Sequence, residues 1–179
     1  MPASLPPRPL AALCALADRL SAAGVEWLLA GSAGRALLGY RARPGDLDIE
    51  VAAGDIAAAS RALGADHRRE TGGGRTSLRA HARMAGVAID LTAGFEVEGP
   101  GGRLGDGFTL QRQWAAPRAA CGRTILVAPV EESAARLMVL GDRTALAHLA
   151  AQAADAGAPA IRPGYVSARL ASAAATAAR

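Results

Sequence analysis

From Asp46 to Val51 the chain alternates without exception: Leu47, Ile49 and Val51 occupy one set of positions, Asp46, Asp48 and Glu50 the other. A period of two demands a strand with one face in a core and the other against solvent. On that wet face the acids stand two residues apart, with successive Cα atoms about 6.5–7 Å from each other. Carboxylates at this distance repel, and a divalent cation offsets the repulsion. Asp46 and Asp48 can together reach hard cations spaced about 3.5–4 Å apart, as in two-metal phosphoryl-transfer sites. Glu50 continues the face but points beyond that position, and its expected role is that of a surface acid.

The residues upstream supply a partner for such a site. Val25–Ala30 reads as a short buried strand, broken by Gly31 and Ser32, and Ala33–Leu38 reads as a helix starting there. Glycine at a strand-to-helix turn lets a phosphate approach the backbone, and a helix start offers unpaired N–H groups and a positive dipole end. The Ser32 hydroxyl adds a donor. Gly39–Gly45 is a loop carrying Arg41, Arg43 and Pro44, so Arg35, Arg41 and Arg43 flank the turn as phosphate clamps or as solvated surface. A Gly-Ser turn alone is usually a cap, and Asp-x-Asp alone is usually a solvated face. Their order and spacing give the combination its meaning.

Elsewhere the pattern alternates between helix and strand. Met1–Pro9 is proline-rich and expected to be disordered. Leu10, Leu13, Ala17 and Leu20 recur at helical spacing up to Gly24. Asp55 can cap a helix running to about Leu63, and Gly72–Gly74 is a turn. Arg75–Met84 alternates as a strand, Ala85-Gly86 makes a two-residue turn, and Val87–Thr92 returns. That register sets His81 opposite Asp90, with Arg79, His81 and Arg83 on the Asp90 face. There they either contact phosphate or acceptor, or pair with acids. Gly94–Gly107 is a glycine-rich excursion and Ile125–Val127 a last strand. Pro129 opens a helix with Glu131 and Glu132 in its first turn, where acids suit the dipole. A second helix follows Gly141 over Arg143–Ala156, and Ala168–Arg179 is either helical or loose. The fold class is therefore α/β (α+β), a small mixed sheet flanked by helices. Residues 10–128 form the core and 129–179 a helical C-terminal subdomain.

Composition narrows the functions. In 179 residues, 51% are hydrophobic but only 3% aromatic, which favours closely packed helices over an all-β sandwich. All twenty basic residues are arginine, and the net charge of +4 permits a nucleotide or RNA partner without demanding one. Two cysteines do not make a disulfide framework. Cys14 is expected as a buried thiol on a helix face, and Cys121 lies in a turn-rich stretch. Asp18 and Arg19 interrupt the apolar run from Leu10 to Leu20, and no stretch is long enough to span a membrane. A cytoplasmic location is the expectation.

The segment GSAGRALLGYRARPGDLDIE, from Gly31 to Glu50, resembles the signature of the nucleotidyltransferase superfamily related to DNA polymerase beta. GDLDIEV after a helix containing ALLG looks most like the small bacterial enzymes that act on lincosamide and aminoglycoside antibiotics. The resemblance covers about residues 24–94. It implies a nucleotidyltransferase fold, with Gly31 and Ser32 as the triphosphate-binding pair, Arg35 and Arg43 beside the nucleotide, and Asp46 and Asp48 as ligands of Mg²⁺ or Mn²⁺. Asp90, in VAIDL, matches the third carboxylate, which binds metal near the acceptor and serves as general base. The implied reaction moves a nucleoside monophosphate from an NTP, ATP foremost, to an acceptor hydroxyl. Alternatives are a protein-adenylylating member of a toxin–antitoxin pair and a non-catalytic nucleotide-binding scaffold. The sequence departs from the pattern in the C-terminal part, where Arg136 stands in the region of a family lysine and Ala145, Leu146 and His148 stand where acids are expected.

Overall fold

A computed structural model describes residues 5–155 and 161–177. In chain order the elements are α1 (Pro7–Ala22), β1 (Trp27–Leu29), α2 (Gly31–Leu38), β2 (Asp46–Val51), α3 (Ile56–Ala62), β3 (His67–Gly72), β4 (Arg75–Met84), β5 (Val87–Gly99), β6 (Gly102–Leu104), α4 (Phe108–Trp114), β7 (Ala116–Ala120), β8 (Arg123–Val127), α5 (Val130–Leu140), α6 (Arg143–Asp155) and α7 (Pro163–Ala177). A single 3-10 turn, Ala53–Asp55, precedes α3. One mixed sheet runs β3-β4-β5-β2-β1-β8-β7, with β6 paired to the far end of β5. Two pairings are parallel, β2 with β5 and β1 with β8, and the remainder are antiparallel.

The alternation of β2 does what its period requires. Leu47, Ile49 and Val51 are buried with Ile89 and Leu91 of β5, against Leu13, Leu16, Ala17 and Leu20 of α1 and Ile56 and Ala59 of α3. The opposite face of β2 and β5 carries the acids. The β4–β5 turn has positive φ at both Ala85 and Gly86, 48° and 77°, the twist that suits a two-residue hairpin. It pairs Met84 with Val87 and His81 with Asp90.

Several expectations are corrected. The helix expected from Leu10 begins at Pro7, and Leu5 is already in the core, so order starts before residue 9; residues 1–4 lie outside the described residues. Gly94–Gly107 is not a simple excursion, because β5 continues to Gly99 and pairs with β6. Its glycines fit the backbone of α5: a Cβ on Gly99 would lie 2.5 Å from the Val139 carbonyl oxygen, and one on Gly101 would lie 2.8 Å from that of Met138. The cysteines are not free thiols. Cys14 of α1 and Cys121, in the β7–β8 turn, form a disulfide with Cα atoms 5.2 Å apart. No helix among the described residues is long and apolar enough to cross a membrane.

Glu50 departs furthest from expectation. It is not a surface acid: Arg136 of α5 donates to both its oxygens, at 2.8 and 2.9 Å, and Gln111 of α4 donates to it at 2.8 Å. Arg136 lies under the Phe95 ring, 4.2 Å from its centroid, and also donates to Glu132 at 2.9 Å. Glu132, only 2% exposed, accepts further bonds from Arg169 (2.9 Å) and Tyr165 (2.7 Å), both on α7. Burial alone would raise the Glu132 pKa, but Arg136 and Arg169 more than offset it and hold the carboxyl below its ordinary range. Glu131 is likewise buried and bound by Arg162, at 2.7 Å. The two acids of the first turn of α5 thus tie the C-terminal helices together in addition to complementing the dipole.

Two measurements check this picture. Glu132→Gln leaves buried guanidinium groups short of a counter-charge and should cost about 3–5 kcal/mol in urea denaturation. Since the Glu132 pKa is depressed, its contribution is present above the unfolded carboxylate pKa and is lost as pH falls through the folded one. Reducing the Cys14–Cys121 bond, which closes a span of 107 residues, should remove about 4–5 kcal/mol on the chain-entropy account. A melting temperature indifferent to reductant, in a protein shown by mass to be oxidised, would contradict that assignment.

Candidate functional site

Two of the predicted residues, Gly31 and Asp48, meet where β1 gives way to α2. The Ala30 N–H donates to the Asp48 carbonyl at 2.8 Å, which fixes the start of α2 against β2. The helix begins at Gly31, two residues earlier than its apolar pattern implies, and Gly31 has φ +58°. The Asp48 side chain lies directly against this turn: a Cβ added to Gly31 would fall 1.7 Å from Asp48 Oδ2. Glycine is therefore required twice, by conformation and by the carboxylate occupying the space.

Asp46 is exposed on the same face of β2 and Asp48 is half-buried. Across the parallel pairing, Asp48 is in register with Asp90, which puts their Cα atoms about 5 Å apart. Burial raises the Asp48 pKa, the negative charges of Asp46 and Glu50 raise it further, and Arg35 and Arg79 pull it back. Asp48 is thus a carboxylate disfavoured by burial and by a neighbouring acid, the condition a cation relieves.

Arg35, one turn into α2, is half-buried and its Nε has no hydrogen-bond partner. Burial lowers its pKa, with Asp48 the main opposing charge. It lines a small pocket with Gly31, Glu50, Gln111, Glu132 and Ser133, of about 20 Å³, room for roughly one water. The Gln111 Oε1 is a second buried atom without a partner on that lining. Sequence reading missed Gln111, because α4 is a seven-residue helix with no clear period. Ser32 is half-buried at the helix start, while Arg41 and Arg43 are exposed on the loop before β2.

Asp90 is on the acid face, but its carboxylate is already engaged. Arg79 donates to it through Nε at 3.2 Å and through Nη2, and His81 Nδ1 lies 3.5 Å from Oδ1. Of the two alternatives for this face, Arg79 takes the pairing one, and His81 stands 3.5 Å from an oxygen of each of Asp90 and Glu70. Arg83 turns away to the Gly86 carbonyl, and Arg136 is committed to Glu50 and Glu132. The oxygen donors, clustered charge and raised Asp48 pKa at Asp46 and Asp48 suit a hard divalent cation. Among the described residues, however, no three His, Cys, Asp or Glu side chains are gathered as a complete metal set.

No family model matches the chain, and no curated protein sequence matches it. Among solved structures, it is similar to a Thermotoga maritima protein provisionally described as a nucleotidyltransferase, with a TM-score of 0.68 at 18% identity, over 82% of this chain and 92% of that one. At that identity the likeness concerns architecture, and the architecture agrees with the one the Gly31–Glu50 segment implies: the chain has a nucleotidyltransferase-type fold.

Proposed function

We propose that this chain transfers a nucleoside monophosphate from an NTP, ATP foremost, to the hydroxyl of an acceptor. The observation that carries the reading is the Asp48 carboxylate packed against the Gly31 turn, beside Asp46 and in register with Asp90. Asp46 and Asp48 would hold Mg²⁺ or Mn²⁺, which when bound supplies positive charge against the triphosphate and the attacking oxygen. The backbone at Gly31, the Ser32 hydroxyl and the half-buried Arg35 guanidinium would bind phosphate oxygens; Arg43 would approach from the loop. The small pocket beside Gly31 has no room for a nucleotide, so the triphosphate would lie across the acid face. The acceptor oxygen forms its bond to the α-phosphorus, the bond from that phosphorus to the bridging oxygen breaks, and pyrophosphate leaves with the electron pair. The acceptor proton passes to Asp90.

The acceptor would approach over the polar sheet face running from Asp90 to β3, where Arg79, His81 and Glu70 stand. Small hydroxylated antibiotics of the lincosamide and aminoglycoside classes are the first acceptors to test, in the cytoplasmic setting where ATP is abundant. A protein acceptor is the second. Transfer of label from α-labelled ATP separates these, and nucleotide binding with no release of pyrophosphate from ATP in the presence of any acceptor marks a scaffold.

Melting curves test the binding step. Mg²⁺ or Mn²⁺ with ATP should raise the melting temperature by mass action, and Asp46→Asn with Asp48→Asn should abolish the rise. Without metal the sign reverses: Asp48→Asn alone should stabilise the protein near neutral pH, because it removes a buried charge. The Asp48 pKa is raised in the folded state, so its penalty is complete above that pKa. It fades as pH falls through it towards the unfolded value. The advantage of Asp48→Asn should shrink over that window. A variant no more stable than the parent at neutral pH would argue against a disfavoured carboxylate at Asp48.

A further inference from the structure

Arg79 has two acids within reach. It is bonded to Asp90 through Nε and Nη2, while its Nη1 lies 3.6 Å from Glu70 Oε2 on the neighbouring strand β3. Glu70 is also approached by Arg68 at 3.0 Å and by His81 Nε2 at 3.5 Å. All of these side chains stand on the acid face, and Arg79 is 32% exposed, Asp90 21% and Glu70 28%, so the guanidinium is not locked in a core.

A cation that needs Asp90 must compete with one that already holds it. We propose that Arg79 is a displaceable resident cation of the acid face. With no metal bound it pairs with Asp90 and partly neutralises the acid cluster. When a divalent ion engages Asp46, Asp48 and Asp90, Arg79 transfers to Glu70, which is placed to receive it. Asp90 is thereby kept out of the metal site until an ion is present, and Glu70 sets how readily it is released. The inference rests on the reading of Asp46 and Asp48 as cation ligands. Arg79 and Glu70 are positioning residues in it, acting through Asp90.

The test is Mn²⁺ binding to the full chain without nucleotide, measured by calorimetry and by the loss of free-Mn²⁺ electron paramagnetic resonance signal. Arg79→Gln should tighten Mn²⁺ binding about tenfold or more, equivalent to about 1.4 kcal/mol. Arg79→Lys, which keeps the charge but not the paired geometry, should fall between it and the parent. Glu70→Gln should weaken binding several-fold, because Arg79 loses its second partner. Adding Asp90→Asn to Arg79→Gln should remove the gain. Equal Mn²⁺ affinity in the parent, Arg79→Gln and Arg79→Lys, with binding still abolished by Asp46→Asn and Asp48→Asn, overturns the displacement and leaves the cation site standing. Mn²⁺ affinity indifferent to Asp46→Asn and Asp48→Asn in every background overturns both.

Discussion

The paired hydrogen bonds between Glu50 and Arg136 hold the molecule in its working arrangement. Glu50 is the last acid on the strand that presents Asp46 and Asp48, and Arg136 stands 86 residues further along the chain on α5. Through Arg136 the contact reaches Glu132, and through Glu132 it reaches Arg169 and Tyr165 of α7. A buried ion pair is rarely a strong net stabiliser compared with apolar residues of the same shape, but it is highly intolerant of losing one partner. Its effect here is to fix position. The C-terminal helices dock on the same strand that carries the acids, so the geometry of the acid face and that of the helical part are set together. Strand β2 is divided accordingly, with an exposed Asp46 and a half-buried Asp48 in its outer half and a structural acid in its inner half.

What the sequence disclosed follows from periodicity and local chemistry. The alternation of Asp46–Val51 gave that strand with its correct bounds, and the two-residue turn at Ala85-Gly86 gave the pairing of His81 with Asp90. Features that depend on distant partners did not show. Periodicity put Glu50 on the acid face but could not reveal an arginine waiting on a helix 86 residues away. The two cysteines are 107 residues apart and meet only because α1 crosses the end of the β7–β8 hairpin. Strand β3, HRRETG, is an edge strand with little burial and no apolar alternation, and β7 carries Pro117, which argues against a strand unless it lies at an edge. Of the candidate site, the residues on β2, α2 and β5 were legible; the engagement of Asp90 by Arg79 was not, because a side chain's choice between acids has no period.

The acid face and the buried network use the same ingredients to opposite ends. In the network each carboxylate has guanidinium partners at close range, and the charges close on themselves. On the open face Asp48 is crowded by Asp46 and shielded from water, and its nearest positive charges do not compensate. One strand thus carries a carboxylate with close guanidinium partners, Glu50, and one without, Asp48, two residues apart. Natural proteins tolerate such local conflict where something other than stability is being served.

The contact between Asp48 and the Gly31 turn also constrains how this protein can diverge. The space that a side chain at position 31 would need is the space that the Asp48 carboxylate fills. Shortening residue 48 to alanine would leave its Cβ still 2.9 Å from the one added at 31; only glycine there would remove all three of the nearest atoms, and the positive φ would still cost about 1 kcal/mol for alanine. The two positions therefore form one evolutionary unit. In a lineage that keeps the aspartate, the glycine is irreplaceable; in a lineage that abandons it, one of the two constraints on position 31 is lifted and the positive φ remains. A side chain at the turn should therefore occur only in descendants that have lost the acid.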